Sequence, residues 1–189
     1  MRKIAGPFAA MLALGSPAFA VDDPVPLPHY LRSGPGLACM MNQAMADAAE
    51  AQHRDGCIQI GPLTPGMQRA DLEKVLGKPA QSGEAKSEKY FAYGLQYKGD
   101  TANTYAVVFY SPDGHANTIQ VTGDAWPAAW KFSGLTLGDS QESVTAILGQ
   151  PMRTQPSEEP GTVVWDYSPW TFSLEIKGGK LSSVRLWEN

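Results

Sequence analysis

Apolar and polar residues alternate strictly along WTFSLEIK, residues 170–177. Trp170, Phe172, Leu174 and Ile176 fall on one side, and Thr171, Ser173, Glu175 and Lys177 on the other, the signature of a half-buried strand. Gly178-Gly179 then supplies a tight hairpin turn. LSSVRLW, 181–187, returns with Val184 and Leu186 on the buried side, so Ser183, Arg185 and Trp187 face away. TVVWDY, 162–167, precedes them as a third strand. Upstream, YFAYGLQY (90–97), TYAVVFY (104–110) and HANTIQV (115–121) form a comparable trio, with Pro112-Asp113-Gly114 as a turn.

A helical period occurs ahead of each trio. Leu72, Val75 and Leu76 share one helical face, as do Val144, Ile147 and Leu148. The two stretches are copies: LTPGMQRADLEKVLGKP at 63–79 aligns without a gap to LTLGDSQESVTAILGQP at 135–151. In both, a glycine precedes the helix, a second glycine ends it, and a proline follows. Ser140 suits the N-cap of the second helix, whereas Gln68 is a poor cap for the first. One helix over three short strands buries too little apolar surface to stand alone, so the copies are expected to share a core or a sheet.

The expected fold class is therefore α+β: two tandem α-β-β-β units with antiparallel sheets, preceded by an N-terminal helix. That helix is read over LACMMNQAMADAAEAQ, 37–52, with Gly56 as its stop. Before it, prolines 24, 26, 28 and 35 make 21–36 an extended, poorly paired lead-in. The expected organisation is a leader at 1–20, a lead-in and helix at 21–57, a first repeat at 58–123, a linker at 124–131 and a second repeat at 132–189.

The leader rests on a basic start (Arg2, Lys3), a mostly apolar run over 4–14 and Ala18-Phe19-Ala20 as a small-residue cleavage site. The run is too short to span a bilayer of ~30 Å. A periplasmic or secreted protein, soluble after cleavage, is expected, without a later transmembrane segment. No lipid anchor is expected, since Val21 follows the cleavage point and GLAC at 36–39 lies well beyond it. Loss of the two basic residues takes the formal net charge from −4 to −6. With no Lys/Arg stripe, such a surface repels phosphate backbones, and nucleic acid is not an expected partner.

Cys39 and Cys57 form an even pair in an exported chain, which favours a disulfide. Were 37–52 a single helix, Cys39 would lie about 20 Å from Gln52. The five residues from Gln52 to Cys57 reach at most ~17 Å. A bond then requires the helix to begin later, near Asn42, or Cys57 to fold back beside its first turn.

The pattern Leu-x-x-Gly-Met-x-x-x-x-Leu-x-x-x-Leu-Gly-x-Pro at 63–79, followed by an aromatic strand and a glycine hairpin, resembles the SmpA/OmlA (BamE) family. The likeness covers roughly 58–189. It implies a small α+β unit of the outer-membrane assembly machinery. Tandem copies in an exported chain are also similar to the β-lactamase inhibitory proteins, which implies an inhibitor or immunity-type role against an envelope enzyme.

Reaction chemistry is sparse. His29, His53 and His115 are scattered, no His/Cys/carboxylate set has ligand spacing, and Gly-x-Ser-x-Gly is absent. Asp113-Gly114-His115 suits a turn, and Glu158-Glu159 sits in a polar loop. We therefore expect no enzyme, cofactor or metal, and a protein partner in the cell envelope. Trp187, Arg185, Tyr110 and Trp130 are the candidate contact residues, because exposed Trp, Tyr and Arg anchor interfaces. Tyr110 faces outward with Val108 if Val107 and Phe109 are core. The structural alternative for Trp126 and Trp130 is packing over the joint between repeats.

Overall fold

The computed structural model describes residues 28–34, 36–51, 56–85, 88–95 and 103–188. The expected leader, residues 21–27 of the lead-in and His53 lie outside the described residues. Among the described residues, no helix is long and apolar enough to cross a membrane.

A two-stranded hairpin comes first: β1 (His29–Ser33) pairs with β2 (Gly36–Met40). Helix α1 (Gln43–Ala51) follows. Helix α2 (Arg69–Leu76) leads into β3 (Gln81–Ala85), β4 (Glu88–Gly94), β5 (Tyr105–Tyr110) and β6 (Ala116–Thr122). Helix α3 (Gln141–Leu148) leads into β7 (Arg153–Pro156), β8 (Thr162–Asp166), β9 (Phe172–Lys177) and β10 (Lys180–Trp187). All eight later strands form one antiparallel sheet in the order β3-β4-β5-β6-β10-β9-β8-β7.

This overturns the expected fold class. The molecule is β-rich, with ten described strands in two antiparallel sheets and three short helices, and is not a pair of α-β-β-β units behind an N-terminal helix. The strands missing from the expectation are the β1–β2 hairpin and, in the large sheet, its two edges β3 and β7. Their sequences, QSGEA and RTQP, are almost wholly exposed and carry no apolar alternation. An edge strand with both faces wet needs none, and polar residues and proline protect it from pairing with other chains.

The N-terminal helix is cut short for a tertiary reason. Tyr30 of β1 is fully buried against Phe132, Trp170 and Phe172, and its backbone N–H donates to Ser133 Oγ at 2.9 Å. Docking that strand draws residues 36–40 into the hairpin, overriding their helix propensity. The helix then starts after Asn42, whose side-chain oxygen accepts from the Met45 N–H at 3.0 Å. With Cys39 ahead of the helix, Cys39 and Cys57 are bonded, at 5.7 Å between Cα atoms. A late start is one of the two arrangements that chain reach allowed for this bond.

Matching backbone bonds enter α2 and α3. Gly66 N–H donates to Ala116 O and Gly138 N–H to Leu181 O, both at 2.8 Å. In return Ala116 N–H donates to Met67 O and Leu181 N–H to Asp139 O. Arg69 N–H reaches Gly114 O, and Gln141 N–H reaches Gly179 O. Gly66 and Gly138 have φ of 85° and 89°, a conformation that side-chain-bearing residues rarely adopt. Each helix is thus pinned to the last hairpin of its own half. The halves join where β6 pairs with β10.

Leu72 and Leu76 from α2, and Val144 and Leu148 from α3, are buried in one cluster with Val108, Ile119, Val121, Leu174, Val184 and Leu186 from the sheet. Val75 departs from the expected face and is exposed, while Ile147 is partly buried.

Candidate functional site

Among the described residues, helices α2 and α3 cover one face of the large sheet and not the other. On β10, Leu181, Val184 and Leu186 turn inward, and an irregularity between Leu181 and Ser183 resets the alternation. Arg185 and Trp187 therefore point outward, the first exposed and the second half-buried. Pairing carries this outer face across the strands. Arg185 stands between Gln120 of β6 and Ser173 of β9, and Ser173 pairs with Asp166, which pairs with Arg153. Trp187 faces Thr118, which pairs with Phe109, which pairs with Tyr90. The Phe109 and Tyr90 rings lie 5.9 Å apart.

Two rows thus lead away from β10, a polar one from Arg185 toward β7 and a largely aromatic one from Trp187 toward β4. The polar row, with Trp187 and Thr118, lines a groove of about 790 Å³ that draws residues from both halves, from Glu88 to Gln155. Gln120 ties this lining to a hydroxyl cluster beside it: Gln120 Nε2 donates to Ser183 Oγ at 3.0 Å, and Thr122 Oγ1 and Ser183 Oγ share a bond of 2.9 Å. Ser183 is fully buried by these neighbours.

Asp166 accepts from the Ser168 hydroxyl at 2.6 Å, the Ser168 N–H at 2.8 Å and Arg153 Nη2 at 2.7 Å. The Ser168 hydroxyl foremost, with Ser168 N–H and Arg153, holds the carboxyl below the usual aspartate range against partial burial. Arg185 differs: no carboxylate among the described residues pairs with it.

The four expected contact residues do not form one patch. Trp187 and Arg185 are together on the outer face. Tyr110 lies on the opposite face, because Val108 and not Val107 is fully buried and Tyr110 shares its side. There the Tyr110 hydroxyl bonds that of Tyr93 at 3.0 Å, and its ring meets Phe91 edge-on at 5.5 Å. Burial foremost pushes the Tyr110 hydroxyl well above the tyrosine range. Arg69 stacks 3.9 Å over Phe91 and pairs with Glu73 at 2.6 Å, which closes this cluster.

Trp130 lies over Gly61, where a Cβ would come within 2.6 Å of its ring, so it packs at the joint. Trp126 is buried as well. Alternation placed Ser183 on the outer face with Arg185 and Trp187, but Gln120, Asp166 and the Tyr90–Phe109 pair were not singled out. The polar half of each strand's alternation was the available signal.

Two further ionic contacts serve a turn and a surface pair. Asp113 accepts from the Ser111 hydroxyl and lies 3.0 Å from His115 in the β5–β6 turn. Glu159 pairs with Lys177 at 2.5 Å. Among the described residues, no three His, Cys, Asp or Glu side chains gather into a metal site.

No protein-family description matches the chain, and no curated protein matches it. Among solved structures it is similar to a DUF4309 family protein (YjgB) from Bacillus subtilis, at 15% identity and a TM-score of 0.45. That alignment covers 77% of this chain and 93% of the other.

Proposed function

We propose that the protein is a non-enzymatic binding module of the cell envelope that recognises a protein partner through the outer face of its large sheet. The observation that carries this reading is the pair Arg185 and Trp187. They stand two residues apart on a central strand of the outer face, beside an open groove. Arg and Trp are the residue types that most often dominate interface energy, and a guanidinium with no carboxylate partner among the described residues is available for one in a partner. Asp166 is already engaged by three donors, which suits a fixed recognition group better than a proton carrier. The periplasmic location rests on the leader-like sequence at 1–20.

The test is capture of a partner from periplasmic extract by the wild-type chain and by an Arg185→Ala/Trp187→Ala variant with unchanged circular dichroism. Loss of one discrete partner supports the reading, and unchanged capture removes it. Assay of the chain against β-lactamases, cell-wall hydrolases and proteases separates a scaffold from an inhibitor.

A further inference from the structure

A second hollow, of about 470 Å³, lies where the β1–β2 hairpin meets the end of α3 and the loop between β8 and β9. It shares Ser168 with the edge of the outer groove but does not depend on the function proposed for that face. Leu37, Leu148, Met152, Tyr167, Pro169 and Trp170 make its wall predominantly apolar. Leu37, Leu148 and Tyr167 are buried, yet Met152 at the rim is 69% exposed, the most open of the large apolar side chains described. A mostly apolar hollow with a single charged group at its edge has the composition of a small-molecule site.

The polar groups of the wall are largely committed inward. The Tyr167 hydroxyl donates to Gly149 O at 3.1 Å, and the Ser168 hydroxyl donates to Asp166. Arg32 is the one charged side chain of the lining among the described residues, and no carboxylate pairs with it there. Its stem runs beside Gly149, where a Cβ would lie 3.6 Å from Arg32 Cδ. Packing against the helix end therefore helps hold the guanidinium at the hollow.

We propose that this hollow binds a single-chain anionic amphiphile of the fatty-acid class, with its alkyl chain on Leu37, Leu148, Met152 and Trp170 and its carboxylate at Arg32. The charge match selects an anion, and the apolar wall selects a hydrocarbon. A peptide fits less well, because each residue brings a backbone donor and acceptor that this wall leaves unmet.

The experiment is calorimetric titration of the full chain with octanoate, decanoate and dodecanoate below their micelle concentrations. Dodecanol and a leucine-terminated tetrapeptide serve as comparison ligands. Saturable one-to-one binding is expected, tightening about threefold to fourfold per added methylene until the hollow is filled. Arg32→Gln weakens alkanoate binding about fivefold and removes the preference over the alcohol. Met152→Glu, a change at an exposed position, weakens it by more than about tenfold through lost contact and charge repulsion. Circular dichroism verifies that both variants fold. Absence of saturable alkanoate binding overturns the proposal. So does binding indifferent to both substitutions, alcohol bound as tightly as carboxylate, or binding of the peptide alone.

Discussion

Val121 of β6 faces Val184 of β10 across the junction of the two halves, and neither side chain is exposed. This contact makes one core out of two incomplete ones. Val184→Ala removes two buried methyl groups and leaves a cavity, so it lowers stability by about 2 kcal/mol. Urea denaturation followed by fluorescence and by circular dichroism gives coincident single transitions for wild type and variant. Two separate transitions would show that each half folds alone.

The helix N-caps make a matched pair. Ser140 (φ −70°, ψ 154°) accepts from the Ser143 N–H, while Gln68 in nearly the same conformation (φ −63°, ψ 144°) makes no side-chain cap bond. Ser140→Ala therefore costs about 1 kcal/mol, and Gln68→Ser adds about 0.5 kcal/mol. Denaturant midpoints of the two variants check both signs.

The Cys39–Cys57 bond closes a loop of 18 residues between the hairpin and the start of the first half. Its removal in a Cys39→Ser/Cys57→Ser variant costs about 3 kcal/mol, mostly by enlarging the unfolded ensemble. Thermal unfolding of the oxidised chain, with and without a reductant, is expected to reproduce the difference between wild type and variant.

Asp166 makes stability depend on pH in a stated direction. Its folded carboxyl titrates below its unfolded value of about 4. The stabilisation is fully present above that unfolded value and is lost as pH falls through the lower folded value. Urea midpoints measured from pH 5 down to pH 2 fall less steeply for Asp166→Asn than for wild type. Equal slopes would show that the Ser168 and Arg153 contacts do not favour the charged form.

Strands with one wet and one dry face were legible in the sequence. The alternation through Phe172, Leu174 and Ile176 and the periodicity of Leu72 and Leu76 or Val144 and Leu148 match the buried sides. Strands β3 and β7 were not legible, because as exposed edges they bury no side chain and leave no pattern. Nor was β2, whose residues have ordinary helix propensity and enter a hairpin only because Tyr30 is drawn into the core. At the candidate site, alternation puts Arg185 and Trp187 on the outer face. It misleads at Tyr110 because TYAVVFY is apolar on both sides, so the choice between Val107 and Val108 as core needs the neighbouring strands. Partners across strands, such as Gln120 beside Arg185, depend on a register that no local sequence encodes.

The outer sheet face as the recognition surface is tested most directly by photo-crosslinking in intact cells. A photoreactive residue replaces Gln120 or Ser173, which flank Arg185, or Glu142 or Thr145 on α3. The account predicts one discrete protein adduct from Gln120 and Ser173, none from α3, and loss of the adduct when Arg185 and Trp187 are both alanine. An adduct from α3 with none from the sheet positions would contradict it.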